Sequence, residues 1–229
     1  MRLGVVTGCD GHHAWMIPWW LDRLKKHNPN IEVAFADFGG LSDAIQKKIY
    51  ESVDVYIDLT GAKVDREWFK KPLAIYHCPF DKVIWMDSDC EVQGDISQMF
   101  NWCNDSHIGL TWDIGPGFNR GINGNTLKRA VASGVVVTHP KNELIREWCD
   151  MCLRARHIRG DQEVLNWMLD DRKHKKNITT KIKIMPKTFQ WLRLEGYNPN
   201  ALIMHWTGID GKNHIAKQID PKRHYNRTF

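Results

Sequence analysis

Asp87 and Asp89 stand one residue apart at the end of the apolar run Val83-Ile84-Trp85-Met86, and a carboxylate pair so placed can hold a hard cation. The run reads as a short buried strand, so two charges arrive where burial is costly unless each is paired or bound to an ion. Mg²⁺ or Mn²⁺ meets that need, since either takes carboxylate oxygens on one side and the oxygens of a diphosphate on the other. Acidic pairs at strand ends also serve as ordinary turns and helix caps. Both readings stand on these residues alone.

A strand must deliver the pair, and the flanking sequence supplies a frame for it. Arg2 to Thr7 reads as a strand running into the polar loop Gly8-Cys9-Asp10-Gly11-His12-His13. A helix follows, with Trp15, Met16, Trp19, Trp20 and Leu24 as its apolar contacts, up to the break at Asn28-Pro29-Asn30. Ile31 to Asp37 and Val53 to Leu59 read as strands, Ser42 to Tyr50 and Arg66 to His77 as helices. This alternation predicts an α/β fold with a mostly parallel central sheet flanked by helices. Ligands of such sheets sit at the C-terminal strand ends, so Asp10 and Asp87 are expected to face one crevice.

Beyond Asp89, a short helical turn is expected at Asp95 to Phe100 and a strand at Ile108 to Thr111. Trp112 to Asn125 is too rich in Gly, Asn and Pro for regular structure and reads either as a mobile flap beside a site or as a plain surface loop. Val131 to Thr138 is β-rich but interrupted by Ser133-Gly134; helices are expected from Asn142 to His157 and from Asp161 to Leu169. Of the eleven tryptophans, most should pack helices on the sheet, while Trp112 or Trp191 could instead stack on a bound ligand.

The chain has 229 residues, 42% apolar and 26% charged, which describes a globular protein rather than a disordered one. It contains no apolar run long enough for a transmembrane helix, and its first residues are too short an apolar stretch for a secretory signal. Six cysteines without framework spacing suggest free buried thiols in a reducing compartment. A cytoplasmic protein is therefore expected, whether a bacterial or viral enzyme or an excised catalytic domain. Residues 172–229 carry 13 Lys or Arg against 3 Asp or Glu, a balance of +10, whereas residues 1–171 carry 19 against 24, a balance of −5. The basic run 172–187 either solubilises an edge strand at Lys181 to Ile184 or meets an anionic acceptor or surface. It has few interleaved aromatics, so nucleic acid is not an expected partner.

Four islands together carry a resemblance: Val5-Val6-Thr7-Gly8-Cys9-Asp10; Val83 to Asp89 with Lys71-Pro72-Leu73 ahead of it; Ala132-Ser133-Gly134-Val135 with Gly160-Asp161-Gln162 to Asn166; and Ile203-Met204-His205-Trp206-Thr207-Gly208 with Lys212. In this order they resemble metal-dependent glycosyltransferases of the GT-A fold, especially the retaining glycogenin and galactosyltransferase-like group and the plant-type xylosyl/galactosyl group. Two departures are visible: Ala132 stands where those families have Asn, and Lys212 lies one residue further from His205 than in their pattern.

The resemblance implies a single catalytic domain over 1–229, with 1–100 as nucleotide-binding half and 101–229 as acceptor-side half and closing tail. It implies a UDP-sugar donor, a glycan or glycoconjugate acceptor, and Mn²⁺ or Mg²⁺ held by Asp87, Asp89 and His205. His205 could otherwise be a satisfied core histidine between Met204 and Trp206. Thr7, Gly8, Asp10, Lys71, Ser88, Ser133, Gly134, Gly208 and Lys212 are implied at the donor, with Lys212 or Lys71 set against diphosphate charge. Asp161 and Gln162 are implied beside the reacting sugar, although Asp161 also stands where a helix cap belongs, and Asp10 where a loop turn does. The alternatives are a non-catalytic carbohydrate- or anion-binding protein on the same fold, and a nucleotidyltransferase. The intact trio argues against the first, and the absence of Arg or Lys from Gly8 to His12 against the second.

Overall fold

A computed structural model describes residues 1–114, 130–169 and 181–225. The apolar runs form the strands β1 (Leu3–Cys9), β2 (Glu32–Asp37), β3 (Val55–Asp58), β4 (Lys82–Met86), β6 (Ile108–Trp112), β7 (Val131–Thr138) and β8 (Ile182–Ile184). They make one seven-stranded sheet in the order β3-β2-β1-β4-β7-β6-β8. β1 lies parallel to both β2 and β4, and β2 to β3. β7 enters antiparallel between β4 and β6, while β8 adds parallel to β6 at the edge. The mostly parallel sheet expected from the alternation is thus present, with one antiparallel strand inserted at its centre.

β4 reads as a continuous apolar run because both its faces are covered. Val83 and Trp85 pack into one core, with Leu144, Ile145 and Trp148 of α4 (Glu143–Arg154) and Val164 and Leu165 of α5 (Asp161–Met168). Ile84 and Met86 point the other way, into a second core with Trp19, Trp20 and Leu24 of α1 (Ile17–His27). Alternate residues of a strand face opposite sides, so neither side of this one can be polar. The remaining α-helices among the described residues are α2 (Asp43–Tyr50), α3 (Lys71–His77) and α6 (Gly208–Ile219).

A second sheet of three short strands closes the second core. β5 (Cys90–Val92) starts directly after Asp89, and β10 (Ile203–His205) runs antiparallel to it and parallel to β9 (Trp191–Leu192), giving the order β5-β10-β9. This sheet does not follow from the periodicity, since two- and three-residue strands are too short to show one, and α6 is not among the helices expected from the sequence.

β7 runs unbroken through Ser133-Gly134, where an interruption was expected. Both residues serve as sockets for buried side chains from elsewhere, described below. Residues 115–125 of the expected flap and 172–180 of the basic run lie outside the described residues. Of the remainder of that run, Lys181 pairs with Glu143 at 2.8 Å and Lys187 with Glu195 at 2.8 Å. All six cysteines are free and buried, and among the described residues no helix is long and apolar enough to cross a membrane.

Candidate functional site

β1 has β2 on one side and β4 on the other, so the connections leave it in opposite directions and open a crevice at the strand ends. Asp10 follows β1 and Asp87 follows β4. Both line a cleft of about 240 Å³ together with Gly8, Lys71, Ser88, Asp89, Asp161 and Lys212.

Asp87 is oriented from behind. Trp85 Nε1 donates to its Oδ1 at 2.8 Å and Lys71 Nζ lies 2.9 Å from the same oxygen. Its backbone N–H donates to Gly134 O at 2.9 Å, tying the turn to β7. Asp89 is held on its Oδ2 by Lys212 Nζ at 2.9 Å. Each lysine therefore occupies one oxygen and leaves the other free of lysine. Asp89 Oδ1 and Asp87 Oδ2 lie 3.1 and 3.8 Å from His205 Nε2, the imidazole being delivered by the end of β10. Two carboxylate oxygens and one imidazole nitrogen converging in this way fit a divalent cation of the Mg²⁺ or Mn²⁺ type.

Cys90 also lies within ligand reach of Asp89 and His205. Burial, reinforced by the Asp87 and Asp89 charges, pushes its thiol well above the ordinary value, so it stays protonated and is the wrong donor for a hard ion. Burial opposes the charged form of Asp89, but Lys212 and His205 outweigh it and hold this carboxyl well below the usual range. Lys212 and His205 together are what let the buried Asp89 carboxylate keep its charge here.

Behind the cleft Lys71 does more than offset charge on a ligand. Its Nζ lies 2.9 Å from Asp161 Oδ2 as well as from Asp87, and donates to Ser133 O and Oγ at 3.2 Å. Burial disfavours this ammonium, yet Asp161 and Asp87 raise its pKa above the ordinary lysine value. Asp161 does not cap its helix: Gly160 is the residue ahead of α5, and the Asp161 carboxylate instead accepts from Ser133 Oγ at 2.8 Å. Burial raises its pKa, Asp87 adds to this, and Lys71 opposes it. Gln162 bridges β7 and the end of β6, accepting from Ser133 N at 3.0 Å and donating to Asp113 Oδ2 at 2.7 Å.

At the other end Asp10 turns on itself, its Oδ1 contacting His13 N at 3.2 Å and His13 Nδ1 at 2.8 Å. It thus caps a turn and still lines the cleft, joining the two readings of its position. A second hollow of about 660 Å³ shares Asp10, Phe38 and Glu67 with the cleft and is walled by His12, Gly39, Gly40 and Lys63. Gly8 is required by packing here, since a Cβ would stand 2.7 Å from Ala36 O and 2.9 Å from a Phe38 ring carbon.

Not every expected residue reaches the cleft. Thr7, Ser133, Gly134, Gln162, His205 and Gly208 are absent from the described residues that line it, as are Trp112 and Trp191; His205 is buried behind Asp89, which it contacts. Ser133 and Gln162 stand behind Asp161, and Gly208 begins α6 with φ of +78°, a left-handed conformation that suits glycine. Trp68, not singled out in the sequence, lines the cleft, its indole N–H donating to Arg159 O at 3.3 Å. No local signal marks it, since it is one tryptophan among many in a helical stretch.

Gly134 makes room for buried neighbours, because a Cβ there would stand 2.5 Å from Gln190 Nε2 and from His205 Cε1. Gly134→Ala is expected to push the imidazole off its position and to cost about 1–3 kcal/mol, as overpacking does. A chemical-denaturation midpoint equal to that of the parent would refute this account of the glycine.

No protein-family model matches the chain, and no curated protein matches it. Solved structures do. The galactosyltransferase LgtC, determined with donor and acceptor sugar analogues, is 15% identical over 90% of this chain and 87% of its own, with a TM-score of 0.61. Mouse xyloside xylosyltransferase 1 is 12% identical over 90% of this chain and 97% of its own, with a TM-score of 0.58. The glycosyltransferase GlyE of Streptococcus pneumoniae is 16% identical over 92% of this chain, which spans 55% of GlyE, with a TM-score of 0.64. With its mostly parallel sheet, inserted antiparallel strand and crevice at the ends of β1 and β4, the chain has the GT-A fold of these glycosyltransferases.

Proposed function

We propose that the protein is a metal-dependent glycosyltransferase that moves a hexose or pentose from a UDP-sugar to an acceptor hydroxyl with retention of configuration. The observation that carries this reading is the convergence of His205 with Asp87 and Asp89, two carboxylates that line one cleft with Asp10 and Asp161. A nucleoside then lies in the hollow beside Asp10, Gly11 and His12, the diphosphate at the carboxylate–imidazole trio, and the sugar toward Asp161 and Trp68. Mn²⁺ or Mg²⁺ bound by the trio would draw negative charge from the departing diphosphate.

The chain's own residues supply the rest. Lys212, one turn into α6, lines the cleft with its ammonium 2.9 Å from Asp89 Oδ2, where its positive charge would offset the charge of a diphosphate. Lys71 is kept from that role by Asp87 and Asp161; its part is to keep those two carboxylates in place. Asp161, anchored by Ser133 and Lys71, offers its remaining oxygen to donor hydroxyls or to positive charge at the anomeric carbon. Gln162 and Ser133 hold it there, and Gly134 makes room for His205. The leaving phosphate itself can take the acceptor's proton, so no strong protein base is needed.

The test is calorimetric binding of UDP, UDP-glucose, UDP-galactose and GDP-mannose, each with Mn²⁺ and with chelator. Expected is UDP binding that requires the metal, and slow hydrolysis of the one sugar nucleotide that is the donor. Metal-independent binding, or none to any nucleotide, would instead favour a non-catalytic binding protein on this fold.

A further inference from the structure

The group that orients His205 is Gln190, which is fully buried between β7, β6 and β10. Its amide orientation follows from its partners. A backbone N–H can only donate, so the amide atom facing Val135 N at 3.2 Å is the oxygen Oε1, which also accepts from Thr111 Oγ1 at 3.0 Å. The amide nitrogen is left facing His205 Nδ1 at 3.1 Å. An amide N–H also only donates, so Nδ1 must present its lone pair and the ring proton resides on Nε2. That proton points at Asp89 Oδ1, 3.1 Å away.

We infer that Gln190 is a positioning residue that locks metal-free His205 in its Nε2–H tautomer, closing the site with a His205–Asp89 hydrogen bond. This rests on the metal-dependent reading above and adds a condition to it. A cation needs the Nε2 lone pair, so the ring proton must move to Nδ1 and the Gln190 amide must turn its oxygen to meet it. Turning breaks the hydrogen bond to Val135 N–H, a buried donor left without its partner. Gly134 leaves no slack for the ring to tilt instead, because the Gln190 and His205 side chains already occupy the space over its Cα. Gln190 therefore holds cation affinity below what the three ligands alone would give.

Gln190→Glu reverses the bias. One carboxylate oxygen can keep Val135 N–H and Thr111 Oγ1 while the other accepts from Nδ1–H, which frees Nε2 for a metal. The experiment is a long-range ¹H–¹⁵N spectrum of the metal-free protein, with the His205 signals assigned by their loss in His205→Asn, together with Mn²⁺ calorimetry of the parent and Gln190→Glu. Expected are a pyrrole-type Nε2 and pyridine-type Nδ1 in the parent, a pyrrole-type Nδ1 in the variant, and Mn²⁺ affinity raised on the order of tenfold. A parent protein with its proton on Nδ1 overturns the inference without any variant having to fold, and so does an unchanged tautomer in Gln190→Glu. If the tautomers come out as expected but neither protein binds Mn²⁺, the cation reading of the site fails and takes the gating role with it, while the Gln190 lock itself stands.

Discussion

Asp89→Asn is expected to lower glycosyl transfer by about 10³-fold, since metal stabilisation of a leaving group is worth several kcal/mol and each 1.36 kcal/mol is a factor of ten. The residue is the hub of the site, because one carboxylate meets both His205 and Lys212. Asparagine keeps the shape but removes the charge that holds Lys212 in place and would bind the cation. The loss should appear in kcat together with metal-dependent UDP binding, measured by a coupled assay for UDP release and by calorimetry. A variant that turns over within tenfold of the parent would remove Asp89 from the metal set and leave Lys212 as the sole counter-charge to the diphosphate.

The second large effect concerns stability. Lys71→Met preserves length and apolar volume but leaves Asp87 and Asp161 without their shared cation. Lys71 is 4% exposed and Asp161 6%, so water from the cleft can reach Asp87 but hardly Asp161. Breaking a buried pair from one side typically costs about 3–5 kcal/mol, and a urea titration at neutral pH should show a loss of that order. The penalty should shrink as pH falls, because Asp161, whose pKa burial already raises, can then be neutralised by a proton. In the parent, Lys71 has its pKa raised, so its contribution is complete at neutral pH and is lost only as pH climbs through the folded value, above about 10.4. Adding Asp161→Asn to Lys71→Met should recover part of the loss if the two act as one unit. A single variant as stable as the parent would mean that the network is dispensable to the fold.

The amino-acid order by itself determined the strands that face the crevice. β4 is legible to the residue, Lys82 to Met86, because it is apolar on both faces and ends abruptly in two carboxylates. Asp10 and Asp87 could be placed at the same sheet edge because strands separated by helices are forced parallel, and their ends then coincide. His205 and Lys212 were reached only through resemblance to known enzymes, for nothing in Ile203-Met204-His205 separates a ligand from a core histidine. Tertiary structure alone decided the pairings. Insertion of β7 between β4 and β6 brought Ser133 beside Lys71 and Asp161, and Gly134 beneath His205. It also set Val135 N–H against Gln190, a residue with no local mark. The physical reason is that a helix or strand pattern reports which face of one segment is buried, whereas charge pairing, tautomer and socket depend on which segments become neighbours. For this site those neighbours are 15 to 123 residues apart, from Gln190 and His205 to Asp89 and Lys212.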